Sequence, residues 1–346
     1  MKQTAVVVAP GRGTYNAAEL GYLSRFHPDR SDMLASFDAY RQEQGQDKLS
    51  DLDSAGRFSA SRYTRGDVAS PLIFASAYFD FLAIDRDKYE IVGVTGNSMG
   101  WYIALTCAGA LPALQGLRLV NTMGTLMQEH LIGGQLVYPI VDGTWSADPD
   151  RRAEVVQVVA DIQAHPDHIL ALSIDLGGML VLAGNEAGLQ AFEAAVPRLE
   201  DRYPLRLPNH AAFHTALQAP VAEAGQARLP QSMARQPDVP LVDGRGGLWW
   251  PHAADLDALW RYTLGHQVTE PYDFAAAIRV AARELMPDLF IVLGPGGTLG
   301  GAVAQSMVQA GWRGMTDKSS FRAVNGTTPR LLAMGQANQR AQVVRS

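Results

Sequence analysis

One serine of the sequence stands where a nucleophile can be exposed. It belongs to a segment that fits the pattern G-x-S-x-G, namely Gly96-Asn97-Ser98-Met99-Gly100. The segment follows an apolar run that ends at Val94 and precedes a stretch of helical spacing from Trp101. Between a strand and a helix, this pattern forms a tight turn that lifts the serine hydroxyl clear of the backbone. The partial positive charge at the helix start and the amide of Met99 suit a developing oxyanion, so we predict Ser98 as the nucleophile.

A serine nucleophile needs a base, and the candidates are eight histidines: His27, His130, His165, His168, His210, His214, His252 and His266. Spacing alone does not rank them. His165 and His168 form an H-x-x-H pair, but Pro166 separates them and no third ligand of a defined pattern accompanies them. We therefore predict no metal site. His214 follows a predicted strand that closes at Leu207.

Three short apolar runs each end in a glycine-bearing turn: Ala5 to Ala9 before Pro10-Gly11-Arg12-Gly13, Ile91 to Val94 before the serine motif, and Leu289 to Leu293 before Gly294-Pro295-Gly296-Gly297. Continuous apolar runs are typical of buried parallel strands, whose functional loops lie at the carboxyl ends. We expect the three loops to converge on one site. We also expect a helix from Leu72 to Ile84, opened by Pro71, and a loose tail from about Gln336.

Residues 134–208 have a different rhythm, in which predicted elements follow in the order strand, helix, strand, strand, helix, strand. Asp148-Pro149 marks the first helix start and Asn185 the second, while Gly177-Gly178 indicates a hairpin. This order is that of the ferredoxin-like arrangement. We predict an α/β fold with a ferredoxin-like subdomain, 134–208, inserted into a large domain made of 1–133 and 209–346.

Composition excludes several classes of protein. The 346 residues are 47% hydrophobic and 18% charged, with a net charge of −6, so a disordered chain and a nucleic-acid partner are not expected. No run approaches the roughly 20 apolar residues that span a bilayer, and the apolar run near the start is too brief for a signal peptide. We predict a cytoplasmic protein without a membrane partner. The single Cys107 fits a reducing compartment.

Several segments, in order along nearly the whole chain, resemble motifs of the malonyl-CoA:acyl carrier protein transacylases and the acyltransferase domains of polyketide and fatty acid synthases. Ala9 to Tyr15 is similar to F-P-G-Q-G-S-Q, and Gly96 to Leu105 to G-H-S-L-G-E-Y-A-A-L. The further matches are Leu119 to Gln128 with L-V-x-x-R-G-x-x-M-Q, Ala212 to Thr215 with P-F-H-S, Gln267 to Pro271 with Q-x-x-N-P, and Leu293 to Gly296 with V-G-P-G. The combination is more specific than any one motif.

The resemblance implies an α/β-hydrolase-like large domain and ping-pong acyl transfer without a bound cofactor. Ser98 would attack an acyl-CoA or acyl-carrier thioester, and the phosphopantetheine thiol of an acyl carrier protein would collect the acyl group. His214 would be the base and then the acid, oriented by the backbone carbonyl of Gln267. The backbone amides of Arg12 and Met99 would form the oxyanion hole.

Departures from the family pattern bear on the acyl group. Met123 stands where the malonyl enzymes have an arginine that pairs with the free carboxylate, and a thioether cannot do this. We therefore expect an uncharged acyl group, with Met123 lining an apolar pocket; the alternative is that Met123 only packs in the core. Asn97, Trp101 and Phe213 are the other expected substrate contacts. An alternative to the uncharged acyl group is that Arg12 reaches into the site and supplies a cation for a dicarboxylic substrate.

Two other functions stay open at this stage. An acyl-carrier hydrolase would use the same serine and let water replace the carrier thiol. A non-catalytic docking subunit is the third reading, and the presence of both Ser98 and His214 argues against it.

Overall fold

A parallel sheet is built around one continuous apolar strand. The computed structural model describes residues 1–345, and in it the residues from Ala5 to Ala9 are fully buried. This burial on both faces explains why the strand carries no polar alternation. It is one of six strands in a sheet, parallel except for the last pair, in the order Leu331–Ala333, Leu289–Val292, Gln3–Ala9, Tyr89–Gly96, Leu241–Val242 and Leu248–Trp249.

Within residues 1–345 the strands are β1 (Gln3–Ala9), β2 (Tyr89–Gly96), β3 (Gly134–Pro139), β4 (Leu170–Asp175), β5 (Met179–Gly184), β6 (Leu205–Arg206), β7 (Leu241–Val242), β8 (Leu248–Trp249), β9 (Tyr272–Asp273), β10 (Leu289–Val292) and β11 (Leu331–Ala333). The first helices are α1 (Tyr22–Phe26), α2 (Ser31–Glu43), α3 (Leu49–Asp53), α4 (Ala60–Tyr63), α5 (Gly66–Ala83), α6 (Gly100–Cys107), α7 (Ala113–His130) and α8 (Pro149–Gln163). They are followed by α9 (Glu186–Ala195), α10 (Ala219–Arg228), α11 (Leu256–Arg261), α12 (Gln267–Thr269), α13 (Phe274–Glu284), α14 (Leu299–Gln309), α15 (Lys318–Thr327) and α16 (Ala337–Val343).

The second sheet has the order β6-β3-β5-β4-β9, and α8 and α9 pack against it. Its first four strands are antiparallel and, with the two helices, have the ferredoxin-like order that the sequence predicts. Both helix starts are confirmed, because the Asp148 and Asn185 side chains accept hydrogen bonds from the amides of Arg151 and Gly188. The short β9 comes from the large part of the chain and pairs with β4. The domain limits at 134 and 208 stay predictions.

Two sequence-based expectations about helices are wrong. Helix α5 begins at Gly66, not after Pro71. Pro71 has no N–H to donate to the Asp67 carbonyl, which lies four residues earlier. The helix continues through Pro71 because that carbonyl accepts a hydrogen bond from Arg41 Nη1 at 3.0 Å instead. The segment beyond Gln336 is not loose but forms α16.

Helix α16 is held by a buried charge cluster. Arg340 Nη1 lies 2.5 Å from Asp80 Oδ1, which also contacts His27 Nε2 at 2.8 Å. The other carboxylate oxygen accepts from Tyr22 and from the amide of Gly294, in the loop after β10. Burial alone would raise the pKa of Asp80, but the hydrogen bonds and charges of His27 and Arg340 lower it. The cluster therefore holds both α16 and the loop that follows β10.

Among residues 1–345, no helix combines the length and apolar character needed to cross a bilayer.

Removing the charge of Asp80 tests the importance of this cluster. Asp80→Asn leaves the buried Arg340 without its anion, and we expect the free energy of unfolding to fall by about 3 kcal/mol or more in urea titration. The matched control is Asp87→Asn, which breaks the exposed pair with Arg345 and should cost less than about 1 kcal/mol. Equal losses in the two variants would contradict this account.

Candidate active site

Ser98 lies on a tight turn between β2 and α6. Its φ is +55°, a left-handed conformation that is rare for a serine. The turn needs the flanking glycines: a Cβ at Gly96 would come within 2.2 Å of Gly100, and one at Gly100 within 2.3 Å of the Ala9 carbonyl oxygen. The strained backbone carries the hydroxyl out of the helix, as the motif predicts.

His214 lies directly beside this serine. Its Nε2 is 2.7 Å from Ser98 Oγ, and its Nδ1 is 2.6 Å from the carbonyl oxygen of Gln267. A carbonyl only accepts hydrogen bonds, so Nδ1 carries the proton of the neutral ring and Nε2 accepts from the serine hydroxyl. This is the tautomer that a general base requires. The structure thus brings together the three residues Ser98, His214 and Gln267.

The Gln267 carbonyl is available because of a proline. In a continuing helix it would accept from the amide four residues later, but that residue is Pro271, which has no N–H. The preceding residues, Tyr262–His266, form a π-helical turn. The backbone of His214 is anchored on the same segment, since its amide donates to the Val268 carbonyl at 3.0 Å. Its φ of +59° is a second left-handed conformation in the site.

The imidazole is buried, and the burial governs its charge. Desolvation lowers the pKa of His214 to about 4, against the opposing effect of the hydrogen bond to the Gln267 carbonyl. The ring is therefore neutral at physiological pH, with a free electron pair directed at Ser98.

The side chain of Gln267 makes contacts that sequence reasoning missed. Its Nε2 donates to the carbonyl oxygen of Ser98 at 3.1 Å, and its Oε1 accepts from the hydroxyl of Tyr102 at 2.9 Å. One residue thus holds the histidine through its backbone and the serine turn through its side chain. The available signal was the position of Tyr102, four residues or about one helical turn after Ser98.

The expected oxyanion donors border the nucleophile. Arg12, in the loop after β1, and Met99, at the start of α6, both line a cavity with Ser98. Within residues 1–345 neither backbone amide donates a hydrogen bond to another group. The cavity is small, with a volume of about 20 Å³, which is space for about one water molecule. Its other walls are formed by Tyr102, Met127, Phe213, His214, Gln267 and Val268.

The structure corrects two expected substrate contacts. Met123 is fully buried and packs against Gly225, so closely that a Cβ there would lie 2.7 Å from its sulfur. The cavity is lined instead by Met127, one turn further along α7. Trp101 is also fully buried, because its Nε1 donates to Thr263 Oγ1 at 3.0 Å and its ring packs edge-on against Tyr262. Neither side chain reaches the cavity.

The side chain of Arg12 forms part of the cavity wall. Its Nη2 donates to the carbonyl oxygens of Thr64, at 2.6 Å, and Asn209, at 2.9 Å, and the guanidinium lies 5.4 Å from the centre of the Phe213 ring. Burial lowers its pKa to about 10, with a partly compensating effect of Asp67. No acidic side chain in the described part of the chain forms an ion pair with it.

A larger cleft of about 600 Å³ continues from this wall. Arg12 and Asn97, the neighbour of Ser98, border its inner end, and His210 lies beside them. Leu205 and Leu207 border it from the ferredoxin-like part, and Thr298 and Gln305 from the large sheet's side. Arg12 thus lines both the cavity at Ser98 and this cleft, which lies between the two parts of the molecule.

The remaining histidines lie elsewhere or make other contacts. His27 belongs to the Asp80 cluster, and the rings of His165 and His168 stack at 4.2 Å on the ferredoxin-like part. Among residues 1–345 no group of three or more His, Cys, Asp or Glu side chains could hold a metal ion. Cys107 is buried in α6, and burial raises the pKa of its thiol.

The low pKa of His214 can be tested by its effect on Ser98. We expect the rate at which a fluorophosphonate labels Ser98 to be constant above pH 6 and to fall to half its plateau near pH 4, where the imidazole becomes protonated. Circular dichroism at each pH checks that the fold persists. An inflection between pH 6 and 7 would show an imidazole with an ordinary pKa and contradict the effect of burial.

Comparison with known proteins finds acyltransferases among the chains that are similar to this one. No model of a known protein family matches the chain. The malonyl CoA-acyl carrier protein transacylase of Bacillus subtilis is 25% identical over 223 residues, which are 63% of this chain and 67% of that enzyme. The transacylase of Escherichia coli K12 is 26% identical over 60% of this chain and 63% of its own length, so the chain spans about two thirds of these relatives. A phenolphthiocerol polyketide synthase of Mycobacterium marinum is 26% identical over 88% of this chain and 14% of its own length.

Solved structures share the fold over the whole chain. The malonyl-CoA:acyl carrier protein transacylase of Xanthomonas oryzae superposes with a TM-score of 0.74 at 19% identity, covering 100% of both chains. A malonyl-transacylase in complex with its type II polyketide acyl carrier protein gives 0.74 at 18% identity over 99% of both chains. The predicted α/β-hydrolase-like large domain with a ferredoxin-like subdomain is thereby confirmed. The relatives and structural neighbours are malonyl-CoA:acyl carrier protein transacylases and polyketide synthases, which confirms the resemblance drawn from the motifs.

Proposed function

We propose that this chain is an acyltransferase that carries an acyl group from a thioester, through an ester on Ser98, to the phosphopantetheine thiol of an acyl carrier protein. The observation that carries the proposal is the line of contacts from Ser98 Oγ through the ring of His214 to the Gln267 carbonyl, at 2.7 and 2.6 Å. A hydroxyl, an unprotonated imidazole nitrogen and an orienting acceptor are the parts that nucleophilic acyl transfer needs.

Acylation begins when His214 Nε2 accepts the proton of Ser98 as the oxygen attacks the thioester carbon. The negative charge then moves to the former carbonyl oxygen, which the free amides of Met99 and Arg12 receive. Collapse breaks the carbon–sulfur bond, and His214 returns its proton to the leaving thiolate. The carrier thiol reverses these steps: it gives its proton to His214, attacks the ester and releases the Ser98 hydroxyl.

A carboxylate is not needed behind the histidine. The Gln267 carbonyl already fixes the ring and its tautomer, and it stabilises the imidazolium that forms transiently through its dipole. Because a dipole stabilises that charge less than a carboxylate does, the imidazole remains a weak base in a desolvated site. Proton transfer then occurs only as the serine attacks.

The partners follow from the same chemistry. The relatives are named for transfer between CoA and acyl carrier protein, and one structural neighbour is bound to its carrier. We infer acyl-CoA as donor and an acyl carrier protein as acceptor for this chain, in the cytoplasm, without nucleic acid, membrane or bound cofactor. The cleft of about 600 Å³ supports this, since it has the volume for a phosphopantetheine arm and shares Arg12 with the cavity at Ser98.

The acyl group that we propose is uncharged. Position 123, where the malonyl enzymes carry an arginine, is a buried thioether packed on Gly225. The one cation bordering the cavity, Arg12, has its Nη2 engaged by two backbone carbonyls. A carboxylate in this place would lack a free bidentate partner, and leaving it unpaired would cost several kcal/mol.

An acyl-carrier hydrolase is the second candidate, and the size of the cavity favours it. A space of about 20 Å³ beside Ser98 and His214 fits one water molecule. Water activated by His214 could attack the acyl-serine ester there and release a free acid.

The nucleophile and the acyl class are tested together by intact mass spectrometry after incubation with acetyl-, butyryl- and malonyl-CoA. We expect acyl adducts from the uncharged donors, none on Ser98→Ala, and an acylation rate about 10²–10⁴ lower for His214→Ala because the base is lost. His165→Ala, an exposed histidine of the ferredoxin-like part, serves as the matched control. A malonyl adduct that forms as fast as the others would contradict the uncharged acyl group.

Transfer and hydrolysis differ in their products. When the acylated protein is offered a holo carrier protein, we expect the acyl mass to appear on the carrier, because its thiol reaches Ser98 through the cleft. Chromatography of the small molecules measures free acid in the same sample. Free acid released at the same rate with and without carrier would favour the hydrolase over the transferase.

A further inference from the structure

A second histidine borders the cleft and has no part in the steps above. His210 lies four residues before His214, and its ring centre is 5.9 Å from that of Phe213. Phe213 also supports the guanidinium of Arg12. His210 and Arg12 therefore both lie near the Phe213 ring, and both border the cleft.

A chain of buried hydrogen bonds fixes which nitrogen of His210 holds a proton. Ser173 Oγ donates to the Phe213 carbonyl at 2.8 Å, so it accepts from Gln135 Nε2 at 2.7 Å. This orients the Gln135 amide with its oxygen toward His210 Nδ1, at 3.0 Å. An amide oxygen only accepts, and Nδ1 must therefore be protonated.

The other nitrogen of His210 is then an acceptor. Burial and the charge of Arg12 keep the pKa of His210 well below its ordinary value, so the ring is neutral. Among residues 1–345, Nε2 makes no hydrogen bond. A lone pair is thus presented at a wall of the cleft.

Arg12 presents a donor beside this acceptor. Its Nη2 is engaged by Thr64 and by Asn209, the residue before His210. Its Nη1 has no hydrogen-bond partner in the described part of the chain, and its Nε is shielded from solvent without one. A free donor on Arg12 and a free acceptor on His210 hence both border the cleft.

Only some ligand groups can pair with both the free donor of Arg12 and the free acceptor of His210. A carboxylate only accepts, and one of its oxygens would face the His210 lone pair. An ammonium only donates and is repelled by Arg12, and an alkyl chain leaves both groups unpaired. A hydroxyl both donates and accepts at a single oxygen, so one hydroxyl can satisfy a donor and an acceptor that border the same cleft.

We propose that His210 Nε2 and Arg12 Nη1 bind a hydroxyl group of the acyl chain, so that the substrate is a short hydroxyacyl thioester. The inference rests on the proposed acyl transfer through Ser98 and names the substrate class of that site. The hydroxyl hydrogen is donated to His210, and its oxygen accepts from Arg12. No proton is transferred, so both residues act in specificity and His214 remains the base.

The test compares two thioesters that differ by one hydroxyl. Acylation rates of Ser98 are measured by intact mass spectrometry with 3-hydroxybutyryl-CoA, in both configurations, and with butyryl-CoA. We expect the wild-type protein to favour one hydroxylated donor about tenfold, the effect of a neutral hydrogen-bond pair. In His210→Asn the amide retains a donor for Gln135 but places no acceptor at Nε2, and the ratio should fall to about 1.

Two further variants keep the test decisive. His210→Gln, which can place an oxygen near the Nε2 position, should restore part of the preference, and His165→Asn on the surface should keep the wild-type ratio. Thermal unfolding of each variant checks folding, and if the asparagine variant does not fold, the wild-type ratio between the hydroxylated and the plain donor still decides the question.

Other outcomes overturn the inference in distinguishable ways. Equal wild-type rates for the two donors would refute hydroxyl recognition while leaving acyl transfer intact. A loss of the same factor for both donors in His210→Asn would show that the pair binds the pantetheine arm, and faster acylation by malonyl-CoA would show a carboxylate site. No adduct from any acyl-CoA would refute the proposed function itself.

Discussion

A backbone carbonyl holds the imidazole on which the site depends. The Gln267 carbonyl is free for His214 because Pro271 cannot continue the helical hydrogen bonding, and the side chain of the same glutamine holds the carbonyl of Ser98. The relative position of nucleophile and base is therefore set by one residue at the end of one helix. A carbonyl dipole offsets the desolvation of an imidazolium only in part, so burial dominates and the histidine rests in its neutral form.

The two residues held in this way both have strained backbones. Ser98 and His214 both have left-handed backbone conformations, each of which costs on the order of 1–3 kcal/mol. The surroundings determine both: close glycine contacts fix the serine turn, and the Val268 carbonyl holds the amide of His214. From these two backbone conformations, the hydroxyl and the imidazole meet at 2.7 Å.

The sequence predicted the parts whose cause is local. Apolar runs gave β1, β2 and β10, capping residues gave α8 and α9, and the glycines around Ser98 gave the turn. It failed where the cause is a distant partner. Nothing near Arg340 indicates that Asp80, 260 residues away, makes α16 stable, and nothing near Trp101 indicates the buried acceptor on Thr263. Met123 and Met127 share one helical face, and only the packing of Gly225 on α10 decides which reaches the cavity.

Arg12 combines two roles that usually belong to different residues. Its backbone amide is the proposed oxyanion donor, while its side chain bridges the loop at Thr64 and the linker at Asn209, which leads from the ferredoxin-like part to His214. A cation without an acidic partner is costly to bury, and two carbonyls offset that cost only in part. Arg12 also borders the cleft that is lined by His210, whose ring is neutral. Selectivity for the acyl group then follows from a charge held beside a lone pair, an arrangement that disfavours a carboxylate and favours a group that both donates and accepts.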